Sequence, residues 1–517
     1  MAFNGQNTQK LGVFLLVGLG LLFAIFSGNY VADEDYLPVV VVLGLLAVSA
    51  LFFGIGGSIY LLIPICWGLK GQIGVLPLPF TVRQLVILAA SLFFITGLIF
   101  KREQRKMTYE PIDLLLYINL LYLILVFVRN PVGVAALGGS ERVGGKPYID
   151  VFLGLMAYLM ISRQIITPKF SRDMPKIILG LTIGVGFVAG VGFYFPSIAT
   201  KLVPIYTGFG SGVDTLFAEF REVTAGETRL NFMLDPGIQT ILFCVSFVNP
   251  MTLLSVGNLP WLILYLFGFL AILLSGFRNA IFSSFLATFL GVFFRERFAG
   301  IVKLGFITFA FATMAVLLSY TSVQLPFTFS RALSFLPGNW DVEAVSNAQA
   351  STEWRQKMWE IVLTSDQYIK DKVWGDGFGF LRSDYERLAS SYFGLQGGDE
   401  GLEAFMINGD FHSGPVSAIR FVGMIGLLLF LPLLFGVAFY AYRTVSLCYG
   451  TPYQACALFF SIPTMIMPLI FLFVFGDYRL DLVAVMFNLS ISKMLRASVV
   501  AENAAQQYLL ASSGPVS

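Results

Sequence analysis

An imidazole that can take a proton and arginines that can clamp a diphosphate are the reactive groups this chain offers, and it offers few of them. His412 is the one histidine among 517 residues. It stands just before an apolar run that starts near Pro415, at an expected helix N-terminus. There the positive end of the helix dipole disfavours imidazolium and keeps the ring available as a base, from a reference pKa of roughly 6.5. The plainer role is an interfacial histidine bonded to a loop carbonyl. Arg278 lies in Leu274-Ser275-Gly276-Phe277-Arg278-Asn279-Ala280, between two apolar runs. A lone arginine there faces a polar cavity or a phosphate, or else snorkels to lipid headgroups. Arg420, two turns into the helix after His412, sits deeper than a snorkelling residue prefers and also points to a polar cavity. Arg355 falls one turn before Trp359, on the same side of an expected helix; by itself it is an ordinary arginine beside tryptophan. Arginines hold a diphosphate in bidentate fashion, a neutral imidazole removes a proton from an attacking hydroxyl, and a diphosphate leaves without a general acid. Together these residues suit transfer from a lipid diphosphate sugar without metal.

Those side chains need elements to position them, and the elements are membrane helices. The chain is 57% hydrophobic and 12% charged, with mean hydropathy +0.79 and 52 phenylalanines, against about 25% charged residues in a soluble globule. It reads as an all-α polytopic membrane protein. A net charge of +2, with basic residues scattered in short clusters, gives no reason to expect a nucleic-acid partner. Cys66, Cys244, Cys448 and Cys456 fall in or beside apolar runs, so no disulfide framework or cysteine zinc site is supported. With one histidine and no paired ligand spacing, neither a transition metal nor any other cofactor is expected.

A spanning helix needs about 20 apolar residues, and such runs lie at 11–27, 37–54, 57–69, 84–100, 112–128, 149–162, 177–195, 237–250, 260–274, 279–294, 304–320, 414–441, 454–475 and 482–492. If the short ones are re-entrant, about 12 of these 14 cross. No small-residue cleavage site precedes Asp33-Glu34-Asp35, so the first run reads as an uncleaved span. Threaded from a cytoplasmic N-terminus, the spans put every clear basic cluster inside: 101–106, 163–176, 295–303, Arg443, and Lys493 with Arg496. The outer face receives 28–36, 129–148, 196–236, 275–278, 321–411 and 477–479. The chain thus divides into spans over 1–320, a large periplasmic loop over 321–411, further spans over 412–496 and a cytoplasmic tail over 497–517, frayed from 503.

The 321–411 loop is too long for a plain connection. Trp354, Met358, Ile361, Val362, Tyr368 and Ile369 recur at helical spacing, with Ser351 as a plausible N-cap and Glu353 in the first turn. A helix lying on the membrane surface is therefore expected. Gly375-Asp376-Gly377-Phe378-Gly379-Phe380 lacks the strand-turn-helix setting of a nucleotide loop and reads as a tight turn fixing the loop against the membrane.

These parts, in this order over roughly 260–440, resemble the bacterial O-antigen ligase and polymerase family of integral-membrane glycosyltransferases. The resemblance rests on Ser275-Gly276-Phe277-Arg278, on Thr352 to Trp359 with Arg355 between, on Gly375, Gly377 and Gly379, and on His412 followed by Gly423 and Gly426. Ser413, Phe421, Phe277 and Asn279 differ from the family's usual residues. The resemblance implies a saccharide donor on undecaprenyl or another polyprenyl diphosphate, and a sugar-hydroxyl acceptor on lipid A core or a growing polysaccharide. His412 would be the base, Arg278, Arg355 and Arg420 would bind the diphosphate, and Trp359 and the five glycines would shape the site. The transfer would invert the anomeric carbon on the periplasmic face of the bacterial inner membrane. A flippase for lipid-linked oligosaccharide and a protein O-oligosaccharyltransferase are the alternatives.

Overall fold

The computed structural model describes residues 59–74, 80–99, 107–133, 142–210, 230–321, 325–381, 383–384 and 399–512. The expected spans 11–27 and 37–54 and the basic cluster 101–106 lie outside these residues. Backbone amides and carbonyls in hydrocarbon have no water to bond, so long apolar runs must satisfy them internally as helices. Among the described residues seven helices are long and apolar enough to cross a membrane, and strands are limited to one two-residue pairing. The protein is an all-α polytopic membrane protein.

The main elements, in order, are α1 Val82–Ile99, α2 Pro111–Arg129, β1 Arg142–Val143, α3 Lys146–Ile161, α4 Pro168–Tyr194, α5 Leu234–Phe247, α6 Leu259–Ser275 and α7 Arg278–Ser319. They continue with α8 Phe327–Leu333, α9 Val342–Thr364, β2 Phe380–Leu381, α10 Asp399–Asn408, α11 Gly414–Cys448, α12 Gln454–Phe473 and α13 Tyr478–Ser512. Their starts carry local signals. Glu110 and Asp113 form a reciprocal capping box at α2, and Thr167 caps α4 ahead of Pro168. The most apolar window of α13 is 72% buried, that of α7 only 6%. Helix α13 is therefore central, and α7 stands at the rim, its exposed phenylalanines suited to lipid.

Helix α7 is two helices. The backbone leaves helical geometry at Arg297 (φ 55°, ψ −142°), and a Cβ on Gly300 would come within 2.5 Å of Val292 Cγ1. Those two residues would lie about 12 Å apart along a straight helix, so the chain folds back on itself, as two spans at 279–294 and 304–320 require.

Among the described residues, hydrogen bonds join loops that the threading puts on one side. At the end carrying His412, Arg129 pairs with Asp371 (3.0 Å), Asn130 donates to Gly375 O (3.2 Å), β1 pairs antiparallel with β2, and Arg479 pairs with Asp410 (2.6 Å). At the opposite end Tyr440 Oη donates to Glu110 (2.5 Å), Tyr453 Oη to Ile166 O (3.1 Å), and Arg295 to Val245 O (2.6 Å).

The large loop is seated by a break in α11. At Gly423 (φ 70°, ψ 180°) the helix opens, freeing backbone groups that hydrocarbon cannot satisfy. The segment 371–377 satisfies them: Met424 N donates to Lys372 O (2.8 Å) and Ile425 N to Val373 O, while Asp376 N and Gly377 N donate to Arg420 O and Phe421 O (both 3.0 Å). A Cβ on either Gly375 or Gly423 would stand 2.5 Å from the other's amide nitrogen, and both residues have positive φ. Tyr122 Oη reaches Val422 O (3.1 Å) and Trp374 O (3.2 Å) beside Gly426. The tight turn read over 375–380 therefore packs on the broken helix. Met358, Val362, Ile369, Phe378 and Phe411 from the loop share one core with α2, α11 and α13.

Two of the short runs do not cross as full spans, and two other expectations need correction. Of the run 57–69, the described part from 59 has a short 3-10 turn and the helix Leu62–Ile65, too short to cross. Helix α5 has 14 residues, about 21 Å, less than the hydrocarbon thickness. The segment from 503, expected to fray, is helix to Ser512, and residues 497–499 pack inward, with Val499 and Ser498 buried. The loop helix begins not at Ser351 but at Val342, capped by Asp341, whose side chain accepts from Ala344 N (2.8 Å). Its first turns bury small residues, Ala344 and Ala348, which periodicity keyed to large apolar side chains passes over.

Candidate functional site

Helix α6 ends at Gly276 in the left-handed conformation (φ 69°), and two residues later Arg278 opens α7. Phe277 occupies the N-cap and no side chain caps this helix start, so its positive end is available to an anion. Arg278 donates to Ala348 O in α9 (3.2 Å). From Ala348 to Arg355 is about two turns, which brings Arg355 onto the same face of α9.

Arg355 lies close enough to Arg278 for the two charges to interact. Burial first, and the Arg278 charge second, push its guanidinium below the usual arginine range. Its Nε is buried and makes no hydrogen bond among the described residues. A buried donor without an acceptor costs about 1–3 kcal/mol, more for a charged group, so an acceptor reaching this atom would be stabilising.

His412 completes the group. Its backbone has φ 53°, an uncommon conformation for a residue with a Cβ. It persists because its neighbours fix it. Trp359 Nε1 donates to Phe411 O (2.7 Å), Phe411 is fully buried, and a ring of aromatics surrounds the imidazole: Phe475 stacked at 5.0 Å, Phe405 at 5.4 Å and Trp354 at 5.8 Å between centroids. Burial, with the Arg355 charge as the second cause and Asp477 opposing, depresses the His412 pKa to about 4. The imidazole is therefore neutral at pH 7. The direction matches the sequence-based expectation, but burial and Arg355 are the main causes.

On its far side His412 borders an acidic group. Arg479 bridges Asp410 and Asp477 (2.6 Å each) and lies over the Phe421 ring at 4.6 Å. Burial raises the Asp410 carboxyl against the pull of Arg479. Sequence reasoning gave Arg479 no role in the site; Asp410 stands two residues before His412.

Arg278, Arg355, Trp359 and His412 are thus brought together, and Arg420 is engaged elsewhere. Buried in α11, it pairs with Asp376 (2.5 Å) and reaches Gly379 O (3.5 Å). Asp376 also accepts from Lys370 N (2.8 Å) and Asp371 N (3.0 Å). The crevice beside them, lined by Tyr368, Lys370, Leu381 and Ile407, has a volume of about 10 Å³, room for one water and not for a phosphate. Arg420, expected to bind diphosphate, is a strut between the glycine turn and the broken helix, its charge already matched by a carboxylate. Gly377 serves the same packing, since Tyr148 Oη lies 2.9 Å from where its Cβ would be and accepts from Phe378 N (3.1 Å).

The four cysteines are free thiols, and among the described residues no three His, Cys, Asp or Glu side chains converge in a way that could hold a metal ion. The arrangement can bind an anion between two arginines and accept a proton beside it. Compared with models of known protein families the chain matches none, and a search among curated proteins likewise returns no match.

Proposed function

We propose that the protein transfers a saccharide from a polyprenyl diphosphate to a sugar hydroxyl, on the periplasmic face of a bacterial inner membrane. The observation that carries this reading is the buried Nε of Arg355, without a hydrogen bond among the described residues, beside Arg278 and a neutral imidazole. Two guanidinium groups held close together repel one another unless an anion lies between them, and a diphosphate offers oxygens to both. In the reaction the acceptor oxygen attacks the anomeric carbon as the bond from that carbon to the diphosphate oxygen breaks. The lipid diphosphate departs with the electron pair, stabilised by Arg278 and Arg355, and the hydroxyl proton passes to His412. Attack opposite the leaving group inverts the anomeric centre. Lipid A core or a growing polysaccharide is the acceptor class that goes with this chemistry.

Binding of the diphosphate also tunes the base. The Arg355 charge helps to hold the imidazole at low pKa; an anion that neutralises it raises His412 toward the range where a general base works best.

One observation favours a second reading, a transporter of lipid-linked saccharide, because such proteins use helices broken within the membrane and α11 is broken at Gly423. Here, however, the 371–377 segment takes up the groups that the break exposes, which leaves them unavailable to a cargo. Reconstituted protein given a polyprenyl diphosphate saccharide and an acceptor in EDTA should yield elongated product and free lipid diphosphate. Saccharide moved across the vesicle with no new glycosidic bond would overturn the transferase reading in favour of the transporter.

A further inference from the structure

Arg331, in the last turn of the short helix α8, is buried at 6% exposure. Two of its acceptors are neutral. Nε donates to Asn347 Oδ1 (2.7 Å), and Nη1 donates to Gly276 O (2.8 Å). Gly276 is the turn residue two positions before Arg278, and Asn347 immediately precedes Ala348, whose carbonyl accepts from Arg278. Arg331 and Arg278 therefore cross-link the same two segments side by side. One segment starts the helix that carries Arg278, and the other lies on the helix that carries Arg355.

This bridge answers an electrostatic problem. Arg278 and Arg355 act on each other as like charges, and in the absence of an anion that repulsion tends to spread them. A single hydrogen bond from Arg278 to a carbonyl leaves a pivot. A second one, from a planar fork that spans a carbonyl and an amide, removes it. A lysine has one ammonium point and cannot hold both acceptors in fixed geometry.

We propose that Arg331 is a positioning residue for the anion site, fixing the spacing of Arg278 and Arg355 before a two-phosphate ligand arrives. The inference rests on the reading of Arg278 and Arg355 as diphosphate ligands. It predicts a specific defect. A single phosphate needs only one guanidinium, whereas pyrophosphate needs both at the correct separation, so loss of Arg331 should erode the preference for pyrophosphate over phosphate more than it weakens phosphate binding.

The test is calorimetric titration of the full chain in nanodiscs with inorganic pyrophosphate and, separately, inorganic phosphate. Arg331→Met and Asn347→Ala should each raise the pyrophosphate Kd at least tenfold and the phosphate Kd less than threefold, and Arg331→Lys should behave like Arg331→Met. Asn347→Ala keeps Arg331 and its bond to Gly276, so it decides the matter if Arg331→Met does not fold. If pyrophosphate binds through Arg278 and Arg355 but the Arg331 and Asn347 variants keep the wild-type preference, positioning by Arg331 is overturned while the anion site stands. If Arg331→Lys alone keeps it, Arg331 acts through its charge and the proposal also fails. If pyrophosphate does not bind, or binds equally well after Arg278→Ala with Arg355→Ala, the anion site itself is wrong and the inference falls with it.

Discussion

The two ends of this bundle both bury charge, and they treat it in opposite ways. At the end away from His412, Lys493 pairs with Asp113, their side chains 3% and 2% exposed. Tyr158 Oη donates to the same carboxylate (2.6 Å), Tyr440 donates to Glu110 (2.5 Å), and Arg496 lies over the Tyr440 ring at 4.5 Å. Each of these groups has its complement. At the His412 end, Arg355 has a buried nitrogen that makes no hydrogen bond among the described residues, the charge that acts on it is another arginine's, and the one histidine sits in a strained backbone. Matched charges hold helices in register; a mismatched one, kept in place by packing, would be satisfied by an anion. Arg420 with Asp376 shows that the His412 end also contains matched pairs, so the mismatch at Arg355 is local.

Substitutions should separate the two ends by readout. The largest effect belongs to His412→Ala, which should lower transfer by about 10²- to 10⁴-fold, the usual contribution of general-base assistance, with expression and thermal unfolding near wild type. His412→Gln can bond but not take a proton; near-normal turnover in that variant would reduce the residue to a positioning role. At the opposite end Lys493→Met strands Asp113 and should cost about 3–5 kcal/mol of stability, measured as unfolding in detergent, while the folded fraction keeps its turnover. A catalytic loss in folded Lys493→Met protein would erase the distinction between the ends.

A smaller effect sharpens the comparison through pH. Because the chain has a single histidine, its imidazole resonances need no assignment. In the free protein they should titrate near pH 4, and saturating pyrophosphate should move that midpoint upward. The stability sign follows from the depressed value: between pH 6.5 and 4 the unfolded chain binds a proton that the folded chain refuses. This contribution is therefore intact above 6.5 and lost progressively as pH falls to about 4. The difference between wild type and His412→Gln isolates it. An unchanged midpoint with pyrophosphate bound would detach His412 from the anion site.

Much of this was legible in the chain because hydrophobic length is a local property. The long helices at 112–128, 177–195, 260–274, 414–441 and 454–475, the fold-back near 295–303 and the pairing of Arg355 with Trp359 on one helix face all follow from runs and offsets. What stayed hidden depends on contacts distant in sequence. Arg420 looked like a phosphate ligand because nothing near it in sequence shows that Asp376, a loop away, already neutralises it. Arg331 was invisible because its acceptors, Gly276 O and Asn347 Oδ1, converge only in the fold. The early start of α9 escaped because alanines, not large apolar residues, face its core. The helical run beyond 503 escaped because an exposed helix end carries no hydrophobic stripe.

Replacing each planar fork by an ammonium tests most directly the proposal that Arg278 and Arg355 clamp a diphosphate. Lysine keeps the charge and loses the bidentate geometry. Turnover of a polyprenyl diphosphate saccharide by purified Arg278→Lys and Arg355→Lys proteins, each inserted and folded like wild type, should fall at least tenfold in both. Full activity in both lysine variants would contradict the account.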